Sequence, residues 1–358
     1  MRKKQIVHDK IKIAIIGYGG MARWHHMHMM LSGKISVIGA YDIDKNASDA
    51  ARIRGLKVYA AAEELLADKE VEAVLIATPN DVHEYYTVLA ANAKKHIICE
   101  KPAALGSESL ARMIKAANDN GVFFIVHQNR RWDKDYRLMM RLAAEPGLGR
   151  VYRVQSNVSS SHGLPGSWRK VKAKGGGMLW DWGVHLIDQM LEYDRSKVVA
   201  VTCRADYVYG FDVDDGIEMF LDFESGLTAH IVIDTNNFLK ERRWRVFGEN
   251  GTGMVEGWHT CGKLIMVKER LDKKNKGITA GNGFTKTMAN RSRSTIKRIR
   301  IPRSKAQAKT PSFYEGFYNT LRKGEPQLIS NESVMRCMKV MEAGFQSIEQ
   351  KAVIRTNI

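Results

Sequence analysis

Over the first 127 residues, short apolar runs alternate with stretches whose apolar positions recur every three or four residues. The runs at 11–16, 35–41, 71–78, 96–99 and 122–127 are nearly continuous in aliphatic side chains, the pattern of strands buried on both faces. The intervening segments 20–31, 46–54, 81–93 and 107–120 carry helical spacing, with Asp81 and Ser107 suited to helix starts and Asn120-Gly121 to a stop. Strand and helix alternating at this pitch predict a doubly wound parallel sheet. Past Gln128 the texture changes. A helix is expected at 134–144, ended by Glu145-Pro146-Gly147, then a strand at 151–158, a Ser- and Gly-rich loop and a helix at about 183–191. Strand-like runs follow at 198–207, 216–223, 227–235, 243–248, 253–257 and 263–267, a spacing that suits an antiparallel sheet. Helices at 313–322 and 333–350 close the chain, and 273–310 shows no period that places it. The predicted fold class is α/β: residues 1–128 form the doubly wound domain, and 129–358 an α+β domain on a large, mainly antiparallel open sheet.

Composition changes this picture little. At 358 residues and 44 % hydrophobic content the chain can bury two cores. Its longest apolar runs fall far short of the roughly 20 residues that span a bilayer. The basic start leads into a glycine loop rather than a cleavage site, so the first ten residues read as a frayed extension, not a signal. Cys99, Cys203, Cys261 and Cys337 lie far apart, as reduced thiols of a cytoplasmic protein do. The net charge of +17 is concentrated: residues 268–309 hold 14 Lys and Arg against two acids, a net +12, leaving +5 elsewhere. A sheet edge guarded by cations explains such a stretch more simply than a nucleic-acid surface.

Residues 13–22 run from a strand into Gly17-x-Gly19-x-x-Ala22 and on into a helix. Such glycines permit a tight turn and close approach to a pyrophosphate, which then sits on the positive helix N-terminus. Asp42 follows Gly17 by 25 residues, at the end of the second strand, where a carboxylate accepts ribose hydroxyls and repels a 2′-phosphate. NAD is therefore expected over NADP. Asp42 or Asp44 can also cap the next helix, which suits Asp44 better. Thr78, Pro79 and Asn80 end the third strand, where open sheets of this type bind ligands, though Asn80 also suits a plain turn.

Glu100-Lys101-Pro102 follows the next strand, putting an ammonium over the same crevice unless Lys101 is simply a surface turn residue. Asp181 and His185, four apart after the Gly175-Gly176-Gly177 run, can share one helical face and pair a titratable imidazole with a carboxylate. An ordinary helix-stabilising pair has the same spacing. Trp132, Trp168, Trp180 and Trp182 offer flat faces for a sugar ring or serve as core, and Arg130 and Arg169 can bind hydroxyls or an acidic group. The histidines at 25, 26 and 28 stand without an evident carboxylate or cysteine cluster, so no metal is expected.

Taken in order and separation, these motifs resemble the Gfo/Idh/MocA oxidoreductases over most of the chain, including Phe313-Tyr314-Glu315-Gly316-Phe317 and the final helix. The resemblance implies a Rossmann domain followed by an α/β substrate domain whose open sheet makes homo-oligomer contacts, as a dimer or tetramer. It implies a cofactor set of Gly17, Gly19, Gly20, Met21, Ala22, Asp42, Thr78, Pro79, Asn80, His83, Glu100 and Lys101. Lys101, Asp181 and His185 carry over as the catalytic group, with Arg130, Trp132, Trp168 and Arg169 beside them at the substrate. The activity implied is hydride transfer between nicotinamide and a hydroxyl or ketone of a sugar or a cyclic polyol such as an inositol. Oxidising an alcohol needs one base for its proton and one group for the developing oxyanion. Two alternatives share the fold: an NAD-dependent glycoside hydrolase, and a non-catalytic NAD-binding regulator.

Overall fold

A computed structural model describes residues 10–269, 277–289, 291–307 and 310–358. The predicted N-terminal extension, except for Lys10, and parts of the basic stretch lie outside the described residues. Six strands, β1 (Ile11–Ile16), β2 (Ile35–Tyr41), β3 (Lys57–Val58), β4 (Ala73–Ile76), β5 (His96–Cys99) and β6 (Phe124–Val126), form one parallel sheet in the order 3-2-1-4-5-6. That order is the common dinucleotide-binding one, with its topological switch between β1 and β4. Helices α1 (Gly20–Ser32), α2 (Lys45–Ile53), α3 (Ala62–Ala67), α4 (His83–Asn92) and α5 (Ser107–Asp119) connect the strands. β1 and β4 are almost wholly buried, which is why they read as unbroken aliphatic runs. The pair β3 and α3 was not expected, being too short to show a period.

After α6 (Lys134–Ala143) the chain builds a nine-stranded sheet. Its strands are β7 (Val151–Ser159), β8 (Val198–Asp206), β9 (Gly216–Phe223), β10 (Thr228–Asp234), β11 (Trp244–Gly248), β12 (Gly251–Val255), β13 (Gly262–Val267), β16 (Ile296–Ile301) and β17 (Ile354–Arg355), ordered 16-13-12-11-7-10-9-8-17. All neighbours are antiparallel except β7 and β10. A small hairpin, β14 (Ile278–Ala280) and β15 (Gly283–Thr285), and β16 itself fall in the stretch that no period placed. β16 is an outermost strand bearing Lys297, Arg298 and Arg300, so this part of the basic segment is a guarded sheet edge. Alternate residues of β10 and β13 are buried, as expected where one face is covered. Helices α6, α7 (Val184–Tyr193) and α9 (Asn331–Gln350) cover that face.

Two apolar clusters result, one around each sheet. The cluster of the parallel sheet also takes in Phe313, Tyr314, Phe317 and Tyr318 of α8 (Phe313–Lys323). α9 serves both: Val334 and Met338 belong to the first cluster, Cys337, Val340 and Met341 to the second. Among the described residues no helix is long and apolar enough to cross a membrane.

Candidate active site

The chain leaves β1 at Gly17, whose φ of +86° and closeness to the Ala77 carbonyl leave no room for a side chain; an added Cβ would lie 2.8 Å from that oxygen. Gly19 and Gly20 have open space before them at the start of α1, leaving the helix N-terminus accessible to an anion. Asp42 is fixed beside it: one oxygen accepts the Tyr18 N–H at 2.5 Å, the other the Asp44 N–H at 2.8 Å. Capping of α2 falls to Asp44, which accepts the Asn46 N–H at 2.9 Å, so Asp42 is left at the rim of the cleft. That cleft, about 660 Å³, is lined by Gly17, Gly19, Gly20, Met21, Asp42, Thr78, Pro79, Asn80, Glu100 and Lys101 on one side and by Trp168, Arg169 and Asp181 on the other. The shape, the open helix end and the placed carboxylate fit a dinucleotide. Tyr41, Ile43, Tyr86 and Lys174, not foreseen, line it too. Two residues of the expected cofactor set do not. Ala22, in the first turn of α1, is fully buried, and His83 lies wholly buried between the carbonyl oxygens of Thr78 and Pro102, 3.0 Å from each, tying the two loops together.

Lys101 precedes a cis bond to Pro102. Its ammonium donates to the Asp181 carboxylate at 2.9 Å and to the Asp181 carbonyl at 2.8 Å, and Arg169 donates to the other carboxylate oxygen at 3.1 Å. Burial opposes the charge on Asp181, but Lys101 and Arg169 outweigh it and hold the carboxyl below its ordinary range. The Asn80 amide donates to the Gly175 carbonyl at 3.3 Å, a second link between the two sides of the cleft. Asp214, which no sequence signal marked, anchors this turn: it accepts the Leu179 N–H at 2.7 Å and fills the space a side chain at Gly177 would need. Burial pushes its carboxyl up to about 6.

Asp181 and His185 do not pair as their spacing suggested. Residues 179–183 form a π-helical turn, so the four-residue spacing no longer stacks the two side chains on one face. Asp181 turns to Lys101 and Arg169. His185, at 4 % exposure, sits edge-on to Trp182 at 5.9 Å, and its Nδ1 is buried with no hydrogen-bond partner. Burial first, then the charges of Lys101 and Arg130, push the imidazole well below its ordinary pKa, so it is neutral at pH 7. A neutral imidazole is a competent proton acceptor, though His185 is not among the residues lining the dinucleotide cleft.

The aromatic residues divide. Trp168 lines the cleft, with the Arg169 guanidinium 4.5 Å from its ring centre. Trp132 instead donates to the Pro311 carbonyl at 2.8 Å and meets Phe313 edge-on, a packing role. Trp180 lies against Phe345 between the two clusters. Trp182 faces a second cavity together with Arg130, whose guanidinium lies 4.1 Å over its ring.

Behind Lys101 the fold assembles what local sequence could not show. Glu100 Oε1 accepts from His25 Nε2 at 2.6 Å and from His127 Nδ1 at 2.7 Å, and the Tyr314 hydroxyl donates to His25 Nδ1 at 2.6 Å. His25 therefore does have a carboxylate partner, brought from 75 residues away, and His25, Glu100 and His127 form a buried set of metal-ligand type. The short contacts to one shared oxygen are those of N–H donors on a carboxylate, which satisfies the group internally. Burial disfavours the Glu100 charge, yet the two imidazoles hold its carboxyl well below the usual range, while burial and His25 push His127 down to about 4.

A parallel sheet in this order, an open glycine turn at its switch point and a cleft closed by a carboxylate from a helical turn of the second domain define a dinucleotide-binding α/β protein. The chain belongs to the Gfo/Idh/MocA oxidoreductases: residues 11–128 match the family's NAD-binding Rossmann fold and 136–253 its C-terminal domain. Its NAD(P)-binding domain is thus the parallel-sheet half. Among solved structures, an NAD-binding protein from Listeria innocua superposes with a TM-score of 0.93 at 39 % identity, over 98 % of this chain and all of that one. Scyllo-inositol 2-dehydrogenase (NADP(+)) IolW of Bacillus subtilis is 24 % identical over 97 % of this chain and 96 % of its own. Glucose-6-phosphate 3-dehydrogenase of the same organism is 28 % identical over 54 % of this chain and 57 % of its own.

Proposed function

We propose that the protein is an NAD(H)-dependent dehydrogenase acting on a secondary hydroxyl or ketone of a sugar or cyclic polyol. The observation that carries the reading is the Lys101–Asp181 ion pair at 2.9 Å, which sets an ammonium from the dinucleotide side against a carboxylate from the π-helical turn before α7. The similarity to an inositol dehydrogenase and a sugar-phosphate dehydrogenase supports the substrate class. Asp42, at the end of β2 with both oxygens held by backbone N–H groups, supports NAD over NADP, since a 2′-phosphate there would meet a fixed negative charge. The NADP(+)-dependent relative makes that preference a point to measure.

A bound nicotinamide would accept or supply the hydride. Lys101 hydrogen-bonds the reacting oxygen and stabilises the charge that develops there. His185, kept neutral by burial and its cationic neighbours, takes the hydroxyl proton. Asp181 holds Lys101 and Arg169 in place and hydrogen-bonds a neighbouring hydroxyl. The exposed face of the nine-stranded sheet, with Tyr152 and Phe220 uncovered, supports association of copies into a homo-oligomer. The test is net NADH formation across a panel of inositols, aldoses, uronic acids and glycosides. Free sugar released from a glycoside without net NADH would favour the hydrolase, and silence across the panel with NADH still bound would favour the regulator.

A further inference from the structure

The second cavity, about 480 Å³, is lined in part by Met178 and Trp182 and is large enough for part of a monosaccharide derivative. Its chemistry differs from that of the dinucleotide cleft. Arg130 enters from the turn before α6. One of its amino groups donates to Asp133 at 2.9 Å, and its guanidinium lies 4.1 Å over Trp182 and 5.5 Å from the ring of Trp258, while its Nε is buried and unpartnered. Arg303 enters from the turn after β16, in the stretch no period placed, and its Nε is likewise buried without a partner. Lys134 stands at the rim.

The acids in the wall are already engaged. Asp135 is shared between Arg243, at 3.0 Å, and the Trp244 indole N–H, at 2.8 Å; Asp133 holds Arg130; Asp234 accepts the backbone N–H of Asn236 at 2.8 Å. Two guanidinium groups thus present desolvated N–H donors to one cavity with no protein acceptor for them. A buried donor without an acceptor is destabilising, more so when the group is charged, and an anionic ligand removes that cost.

We propose that this cavity is an anion subsite, and that the substrate is an acidic sugar derivative, a carboxylate or phosphate ester, whose charged group is held by Arg130 and Arg303. The inference rests on the dehydrogenase reading, because it takes the cavity as the far end of the same substrate site. It also assigns a use to one residue of the basic stretch beyond guarding a sheet edge.

The test is calorimetric titration of the full-length protein, saturated with NADH, with D-glucuronate, D-glucose 6-phosphate and D-glucose. At least one anionic sugar is expected to bind about tenfold or more tightly than glucose, and which one does so separates carboxylate from phosphate. Arg303→Gln is expected to reduce that preference to within about threefold, and Arg303→Lys to retain part of it. Equal affinity for the three sugars overturns the proposal, as does a preference that survives both Arg303→Gln and Arg130→Gln. Anion preference that depends on Arg303 in a protein that transfers no hydride to or from any sugar of the panel would support the subsite and sink the dehydrogenase reading, so the two fail separately.

Discussion

The two sides of the cleft are built in different ways. On the dinucleotide side the ligand-facing groups are mostly backbone: an open helix end, a glycine that no other residue can replace, and a carboxylate pinned by two N–H groups. On the other side they are side chains, with Trp168 and Arg169 arriving from one turn and Asp181 from another. Backbone recognition needs a short contiguous motif, whereas side-chain recognition needs the whole fold to be correct. The contrast teaches that binding of the dinucleotide and chemistry on the substrate can be lost independently.

The sharpest way to break this division is to remove the chemistry and keep the cofactor. Lys101→Ala and His185→Ala should each lower kcat by about 10²–10⁴-fold while NADH affinity, followed by fluorescence, changes little. Near-native turnover in either variant would end the assignment of that residue. The converse substitution is Gly17→Ala: with φ at +86° and the Ala77 carbonyl in the way, it should weaken NADH binding at least about tenfold and cost on the order of 1–3 kcal/mol in stability. An unchanged Kd and an unchanged Tm would show that the loop adapts. Smaller again is the effect of Asp42→Ser, expected to shift the ratio of kcat/KM for NAD and NADP toward NADP by about tenfold, with little change in Tm. A ratio that stays put would mean that another group reads the ribose.

The smallest effect separates the sides by pH. Burial holds His83, His127 and His185 below the ordinary histidine range, His127 at about 4. Between about pH 6.5, where unfolded histidine takes its proton, and those lower values, the unfolded chain binds more protons than the native one, so stability falls as pH falls, by about 1.4 kcal/mol per pH unit for each such group. Asp214, raised to about 6, and Asp133, also raised by burial, work the other way, their contributions being lost as pH rises, but they are two carboxyls against five lowered histidines, His26 and His96 included. Thermal melts should therefore show Tm declining from pH 6.5 toward 5, and a rise over that window would contradict the buried neutral histidines.

What the sequence disclosed follows the same contrast. The glycine turn, Asp42 and the strand ends could be read because each lies within one β-α step, where periodicity and punctuation act. Asp181 and Lys101 could be named but not joined: their contact depends on how two sheets meet, and the π-helical turn that redirects Asp181 leaves no mark in residue spacing. His83 shows the limit in reverse: the family resemblance implied a cofactor contact, while the structure buries the side chain between two loop carbonyls, outside the cleft lining. The link from His25 to Glu100 and His127 spans separate strands and a helix, and no local pattern announces it.

Tyr314 also has a bearing on how the protein is made. Its hydroxyl reaches His25 on the first helix, and its neighbours Phe313, Phe317 and Tyr318 fill the cluster around the parallel sheet. During translation, then, the parallel-sheet domain carries an unsealed apolar flank until α8 has emerged from the ribosome. Helices α8 and α9 thus act as the latch that closes the parallel-sheet domain.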